Sequence, residues 1–396
     1  MMKALWLTCV YPSDNQPGRG VFHETQVQSL IRLGIDVTVI CPIPRRTAFF
    51  RYFQKSYHVN KNFPFIEQRK GVTVYRPDYL ALPGQLRWVQ PDKRIAAAVM
   101  KTMSEHELAP DIIHAHFAMP SGGAARIVAE QKKLPWILTL HGSDVNVYPF
   151  YSNSAKQAFL QTVKAANSVL AVAGKLQEKT KELAGRESLV IPIGIDLSQF
   201  QQPEQTKLQI RKTLQLPEDK KLIVFVGRLT EEKGVFELAR ALDYLSNEMA
   251  VVFVGDGPAK EKLKRNPEFN NRLFLTGEVD NKRVRDYLFA SDVFALPSYT
   301  EGMPTVVIEA IALKIPVICT AVGGIPELFG EHKDLLIEKK SISSLVHRIQ
   351  SVIYRGLYTP RIQNDLFEHI QKNYHACRNA SLLKETYERT LESITF

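Results

Sequence analysis

The 396-residue chain carries four cysteines, Cys9, Cys41, Cys319 and Cys377, and no two of them form a C-x-x-C pair. That spacing excludes a disulfide framework and a cysteine zinc site, and predicts free, mostly buried thiols in a reducing compartment. No apolar run approaches the 18 residues of a membrane span. The apolar run at 4–10 is short for a secretory signal, and no cleavage region follows it. A cytoplasmic protein, or one held peripherally on the inner membrane face, is expected. The chain also lacks a D-x-D triplet. It has no helix-turn-helix, zinc-finger or RNP signature, and its positive charges are dispersed, which argues against nucleic acid as a partner.

What is present is balanced: 45% hydrophobic and 23% charged residues, as in a globular protein. The length predicts two domains. A formal net charge of +10 favours anionic partners: nucleotides, nucleic acid or anionic lipid. Short apolar runs, read as strands, alternate with helical patterns. In the first half the strands fall at 3–10, 36–42, 72–77, 111–117, 136–142, 168–173 and 188–194. The stretch 22–34 between two of them has helical spacing and ends at Gly34. A polar, proline-flanked stretch at about 197–219 interrupts the rhythm and reads as the linker. Strands resume at 221–227, 250–255, 272–277, 291–298, 315–320 and 334–338. Helices are expected at about 341–355, 360–373 and 379–394.

Strands alternating with helices predict parallel α/β sheets with ligands at the carboxyl ends of the strands. The expected architecture is two doubly wound Rossmann-like domains, 1–197 and 198–374, with a cleft between them. The last helix, about 375–396, is expected to pack back on the first.

Four strand ends carry candidate chemistry. In "FVGRLTEEKG" (225–234), Arg228 and Lys233 sit in a strand-to-helix turn, a pairing that suits a diphosphate. Glu231 and Glu232 between them leave a plain solvated loop as the alternative. "FVGDGPAKEKL" (253–263) is a glycine turn but no dinucleotide fingerprint, because Lys260 takes the last glycine place. In "TEGMPTVVIEA" (300–310), Gly302 and Pro304 place a helix start near Pro304, running on through "TVVIEAIALK". Glu301 then lies in the loop and Glu309 inside the helix, a bend that aims both at one cleft. A solvated Glu309 is the alternative, although its neighbours are apolar all round. In the first half, His141 and His116 follow or end strands, and Gly18 and Gly20 precede a helix.

In order along the chain, GRLTEEKG (227–234), VGDGP (254–258), LTGEV (275–279), the E-x7-E of Glu301 to Glu309 and AVGGIPE (321–327) resemble the retaining GT-B glycosyltransferases of family GT4. The resemblance covers nearly the whole chain. The segment "VYPSDNQPGRGVFHETQVQSL" is most similar to the bacterial cell-surface polysaccharide enzymes of teichuronic-acid type. The turn "PIGID" departs from the family, with Ile193 where many relatives carry Asn.

The resemblance implies a retaining transferase that takes a sugar from a nucleotide-diphosphate sugar, UDP favoured, to a carbohydrate or lipid-linked acceptor. Arg228 and Lys233 would hold the diphosphate. Glu309 would bind the ribose. Glu301, with Gly302, Met303 and Pro304, would hold the donor sugar. The N–H groups of Thr305 and Val306 would meet a phosphate, and Glu278 and Val279 would edge the base. His141 would contact the donor sugar, Gly20 would lie near the phosphate, and His116 would face the acceptor. No metal or other cofactor is implied; the missing D-x-D agrees, leaving cations and a helix N-terminus to carry the charge. The stretch 45–70 holds seven Lys/Arg, one acidic residue and seven Phe/Tyr, a composition suited to an anionic membrane surface. A nucleotide-sugar epimerase on the same plan is the rival enzyme. A nucleic-acid-binding protein is the rival of another class.

Overall fold

The computed structural model describes residues 1–45, 63–81 and 91–393. Most of the basic–aromatic stretch 45–70 therefore lies outside the described residues. The chain divides into two compact units, one of Met1–Pro192 with Cys377–Phe396, the other of Ile193–Ala376. The division falls a few residues before the expected boundary at 197.

The first unit is built on an eight-stranded sheet. Its strands are β1 (Lys3–Leu7), β2 (Asp36–Ile40), β4 (Ile66–Arg69), β5 (Val72–Tyr75), β7 (Ile112–His116), β8 (Trp136–Leu140), β9 (Ser168–Ala171) and β10 (Leu189–Val190). Their order is β10-β9-β8-β7-β1-β2-β5-β4. Every pairing is parallel except β4 with β5. Strands β3 (Ile43–Arg45) and β6 (Asp78–Leu80) form a separate parallel pair. Three short strands, β3, β4 and β6, escaped the sequence reading because they lack an apolar run. β4 reads Ile-Glu-Gln-Arg and is held instead by ions: Arg69 and Lys70 both bind Glu24, at 2.5 and 2.7 Å.

One face of this sheet is covered by the Val21–Arg32 helix and the C-terminal Ala376–Glu392 helix. Trp6, Val27, Leu30, Ala380, Leu383 and Tyr387 share one core there. On the C-terminal helix, Ala380, Leu383 and Tyr387 lie three and four residues apart, one helical face. Asn379 donates to the Pro192 carbonyl at 2.9 Å, and Thr390 meets Ser168 at 3.0 Å, so the helix is tied along its length.

The second unit has five strands, all parallel: β11 (Lys221–Val226), β12 (Met249–Val254), β13 (Leu273–Gly277), β14 (Val293–Leu296) and β15 (Val317–Cys319). Their order is β13-β12-β11-β14-β15. β11 and β12 are near-continuous apolar runs, as strands buried on both faces require. Two expectations are corrected here. The stretch 334–338 is no strand: Lys333–Leu335 is a 3-10 turn and only Ile337 bridges, to Thr320. One apolar triplet with a charge on either side gave too little to pair. The expected linker is also structured. Thr206 and Gln209 form a reciprocal capping box that starts the Lys207–Thr213 helix. Arg211 of that helix donates to Asp292 at 2.8 Å, fixing it to the sheet.

In each sheet the winding direction reverses once, between β1 and β7 in the first and between β11 and β14 in the second. Open parallel sheets bind ligands at the carboxyl ends beside such a reversal.

Candidate active site

At the reversal of the second sheet, the loops after β11 and β14 lie side by side, and their backbones touch through glycine. A Cβ on Gly234 would stand 2.1 Å from the Pro297 carbonyl oxygen. One on Gly255 would stand 2.0 Å from that of Gly227, and one on Gly323 2.0 Å from that of Glu301. Gly323 also has φ of +56°, and the next N–H, of Gly324, donates to the Gly302 carbonyl at 2.8 Å. No side chain fits these contacts, so the glycines of AVGGIPE set where Glu301 stands.

The loops bring Lys233 and Glu301 together. The Lys233 ammonium donates to both Glu301 oxygens, at 2.7 and 2.8 Å. Glu301 is 8% exposed, while the lysine side chain remains partly open. Arg228 is exposed in the same turn. The Glu232 carboxyl is held below its usual range first by its own backbone N–H, then by the Thr230 hydroxyl, with Arg228 and Lys233 adding. The acidic residues of this turn thus moderate its cations without removing them.

The helix after β14 runs Thr305–Ala312, with Pro304 extended as its cap. It is shorter than expected: at Leu313 and Lys314 the last-turn bonds close, and Lys314 takes a φ of +56°. The Val307 N–H donates to the Pro304 carbonyl at 3.2 Å. Those of Thr305 and Val306 are first-turn donors without an intrahelical acceptor. Glu309 sits within this helix at 8% exposure, ringed by Val307, Ile308, Ala310 and Ile311. Burial pushes its carboxyl up to about 7, against a hydrogen bond from Thr305 that lowers it. It is not a solvated surface glutamate. Met303 is buried with it. Gly302 and Pro304 are half-buried, Glu278 is exposed at the end of β13, and Val279 is half-buried.

The reversal of the first sheet is different in kind. His116 ends β7 and His141 follows β8. Their rings meet, His116 Nδ1 to His141 Nε2, at 3.0 Å. His114, two residues before His116 on the same strand face, packs tilted against it with ring centroids 4.0 Å apart. His23, from the first turn of the Val21–Arg32 helix, closes the group at 4.4 Å from His116. Trp6, Phe22 and Phe117 wall it. Burial lowers the pKa of all four imidazoles, that of His141 to about 3, so all are neutral at pH 7. Asp144 fastens the backbone: its carboxylate accepts from the N–H groups of Gly142 (2.8 Å), Ala118 (2.9 Å) and His141 (3.0 Å). Gly20, in the left-handed region at φ +80°, caps the Val21–Arg32 helix where a Cβ would meet Val10 at 2.8 Å.

His116 is fully buried and spends Nδ1 on His141, so the position expected to face an acceptor lies beneath another histidine. His23, His114 and Tyr387 were not singled out in the sequence, and Gly323 only as part of AVGGIPE. The H-A-H alternation in β7 was the signal that would have found His114, because alternate strand residues share a face.

Among the described residues, His23, His116 and His141 are the group whose donor atoms converge enough to consider a metal, all within 4.8 Å. They fit one poorly. The adjacent carboxylate, Asp144, is committed to backbone N–H groups, and the walls are aromatic, so a divalent cation would be buried without countercharge.

Solved structures share the fold. A sucrose-phosphate synthase from Thermosynechococcus elongatus superposes with a TM-score of 0.79 at 18% identity, covering 99% of this chain and 100% of that one. Anabaena Alr3699/HepE in complex with UDP-glucose superposes at 0.74 and 20% identity, covering 98% and 100%. The fold is that of the GT-B glycosyltransferases, two Rossmann-like units with parallel sheets. The sequence narrows it further. The family pattern described as Glycosyltransferase Family 4 matches residues 20–199, and that of Glycosyl transferases group 1 matches 206–363. TuaC of Bacillus subtilis (strain 168), whose name assigns it to teichuronic acid biosynthesis as a glycosyltransferase, is 54% identical over 98% of both chains. The amylovoran biosynthesis glycosyltransferase AmsK of Erwinia amylovora is 26% identical over 84% of this chain and 85% of its own. The chain belongs to the family 4 glycosyltransferases.

Proposed function

We propose that the protein transfers a sugar, with retention at the anomeric carbon, from a nucleotide-diphosphate sugar to a carbohydrate or lipid-linked acceptor of a cell-surface polysaccharide. What supports this reading is the second sheet's reversal, whose loops carry two cations, a helix N-terminus and a buried glutamate, groups that suit a diphosphate and a ribose. Arg228, Lys233 and the N–H groups of Thr305 and Val306 hold the diphosphate. Glu309 accepts from the ribose hydroxyls, and Glu278 and Val279 edge the base. Glu301, Gly302, Met303 and Pro304 hold the donor sugar, His141 hydrogen-bonds it, and Gly20 lies near the phosphate. UDP is the favoured nucleotide; the UDP-glucose complex of the Anabaena neighbour supports that choice. The 54% identity to the teichuronic acid protein supports the acceptor class.

The step balances without an outside reagent. The acceptor oxygen bonds to the anomeric carbon as the carbon–phosphate oxygen bond breaks on the same face. The bonding pair leaves with the nucleoside diphosphate, and a phosphate oxygen takes the acceptor's proton. Positive groups fixed before the reaction stabilise the charge on the leaving group, a role a metal otherwise fills. Work on the inner membrane face, with 45–70 against anionic lipid, completes the reading. Among the described residues no helix is long and apolar enough to cross a membrane.

The test is transfer from a panel of nucleotide sugars, after a thermal-shift screen for the donor. Activity is expected to survive excess EDTA. Complete loss, restored only by a divalent ion, would refute the metal-free reading. Liposome flotation that stays negative with anionic lipid would remove the membrane role.

A further inference from the structure

We propose that His116 is a positioning residue that fixes the ring and the tautomer of His141, and that Tyr387 of the C-terminal helix holds His116 in place through His114. The proposal rests on the reading that His141 hydrogen-bonds the donor sugar.

Two neutral imidazoles that share one hydrogen bond must divide its roles. If His116 Nδ1 carries the proton, His141 accepts at Nε2 and carries its own proton on Nδ1. If His141 donates from Nε2, its Nδ1 is a bare lone pair. The outer nitrogen of His141, the one left for a ligand, is a donor in the first case and an acceptor in the second. Both outer nitrogens, His116 Nε2 and His141 Nδ1, are buried without a partner. A buried N–H with no acceptor is the rarer defect in proteins. Each arrangement leaves one such N–H, on His141 Nδ1 in the first and on His116 Nε2 in the second; only the first puts it on the ring whose proposed sugar contact can satisfy it, leaving His116 Nε2 a bare nitrogen in the aromatic interior. The cluster therefore holds His141 with its proton on Nδ1, offering a donor to a sugar oxygen.

His116 can set this tautomer only if its own ring is fixed. The rings packed against it supply that. Tyr387 Oη meets His114 Nδ1 at 2.7 Å, and Thr139 Oγ1 meets His114 Nε2 at 2.7 Å, so both nitrogens of His114 are engaged. His114 and Trp6 then both pack against His116, each with ring centroids 4.0 Å away, and against each other at 4.6 Å. Thr139 is also the strand neighbour of His116 in the β7–β8 register, so the support and the supported residue share one frame.

The experiment uses the full chain with 15N-labelled histidine and reads imidazole protonation by long-range 1H–15N correlation, alongside kcat and donor KM. At pH 7.5, His141 is expected to be protonated on Nδ1. His116→Leu should leave a mixture of tautomers and lower kcat about 10- to 100-fold, with donor KM moving less than about 3-fold. His116→Asn places an amide where Nδ1 stood and should recover most of the loss. Tyr387→Phe should lower kcat by a smaller factor, about 3- to 10-fold. A wild-type His141 protonated on Nε2 overturns the proposal even if a variant fails to fold. So does a His116→Leu protein with the wild-type tautomer and turnover. His141→Ala is measured in parallel: if it keeps wild-type turnover, the sugar-contact reading falls, and the catalytic part of the proposal with it, whatever the tautomer.

Discussion

The reversal of the first sheet gathers four histidines that burial keeps neutral, against Trp6, Phe22 and Phe117. The reversal of the second gathers Arg228, Lys233, Glu301 and Glu309, with glycine backbones touching around them. Both use the same topology, a parallel sheet that changes winding direction, yet one is fixed by ring packing and the other by ion pairing and close backbone contact. A topological site says where a ligand goes; the side chains say what kind of group it suits. A charged diphosphate needs the second kind of edge. A neutral hydroxyl-bearing group suits the first.

The largest expected effect breaks the charged edge. Lys233→Ala should lower transfer about 10²- to 10⁴-fold, because two charge-assisted hydrogen bonds at about 1.5–3 kcal/mol each are lost. Glu309→Ala should abolish transfer as well, with the fold kept by circular dichroism. Near wild-type turnover in either protein would sink the assignment of this edge to the donor.

Next comes the glycine contact that places Glu301. Gly323→Ala puts a Cβ 2.0 Å from the Glu301 carbonyl oxygen at a φ of +56°. Denaturant unfolding should show a loss of at least about 1–3 kcal/mol, and donor binding should weaken with it. An unchanged midpoint would mean that the loops do not touch as described.

The two edges should also answer pH with opposite sign. Glu309 has its folded pKa raised from 4.5 to about 7. Its contribution is complete below 4.5 and is lost as pH rises through 7. Glu309→Gln should therefore gain up to about 3 kcal/mol over the parent at pH 8 and little at pH 4.5, while losing donor affinity. The histidines have folded pKa values below 6.5. Each takes up a proton on unfolding once pH falls below 6.5, so the cluster costs stability there, increasingly down to its folded pKa. His23→Gln should flatten the fall of melting temperature between pH 7 and 5. It is the smallest of these effects, since three histidines remain. If both variants moved the pH profile in one direction, the contrast between the edges would be wrong.

Much of this was legible in the chain. Apolar runs at 221–227 and 250–255 became β11 and β12 because strands buried on both faces need no alternation. Gly302 and Pro304 marked the start of the Thr305–Ala312 helix by backbone chemistry alone. Short polar strands such as β4 were not legible, because partners far along the chain hold them: Glu24 lies on another element.

The sequence by itself determined the alternation of strands and helices, the strand-to-helix turns, and the residue types a diphosphate needs, all local properties of period, φ preference and charge. Tertiary structure alone decided that Lys233 meets Glu301, that Gly323 supports that glutamate, and that Tyr387 reaches His114 across 273 positions. Those contacts depend on which strands lie side by side, and strand order is set by packing the whole sheet, which no local stretch contains.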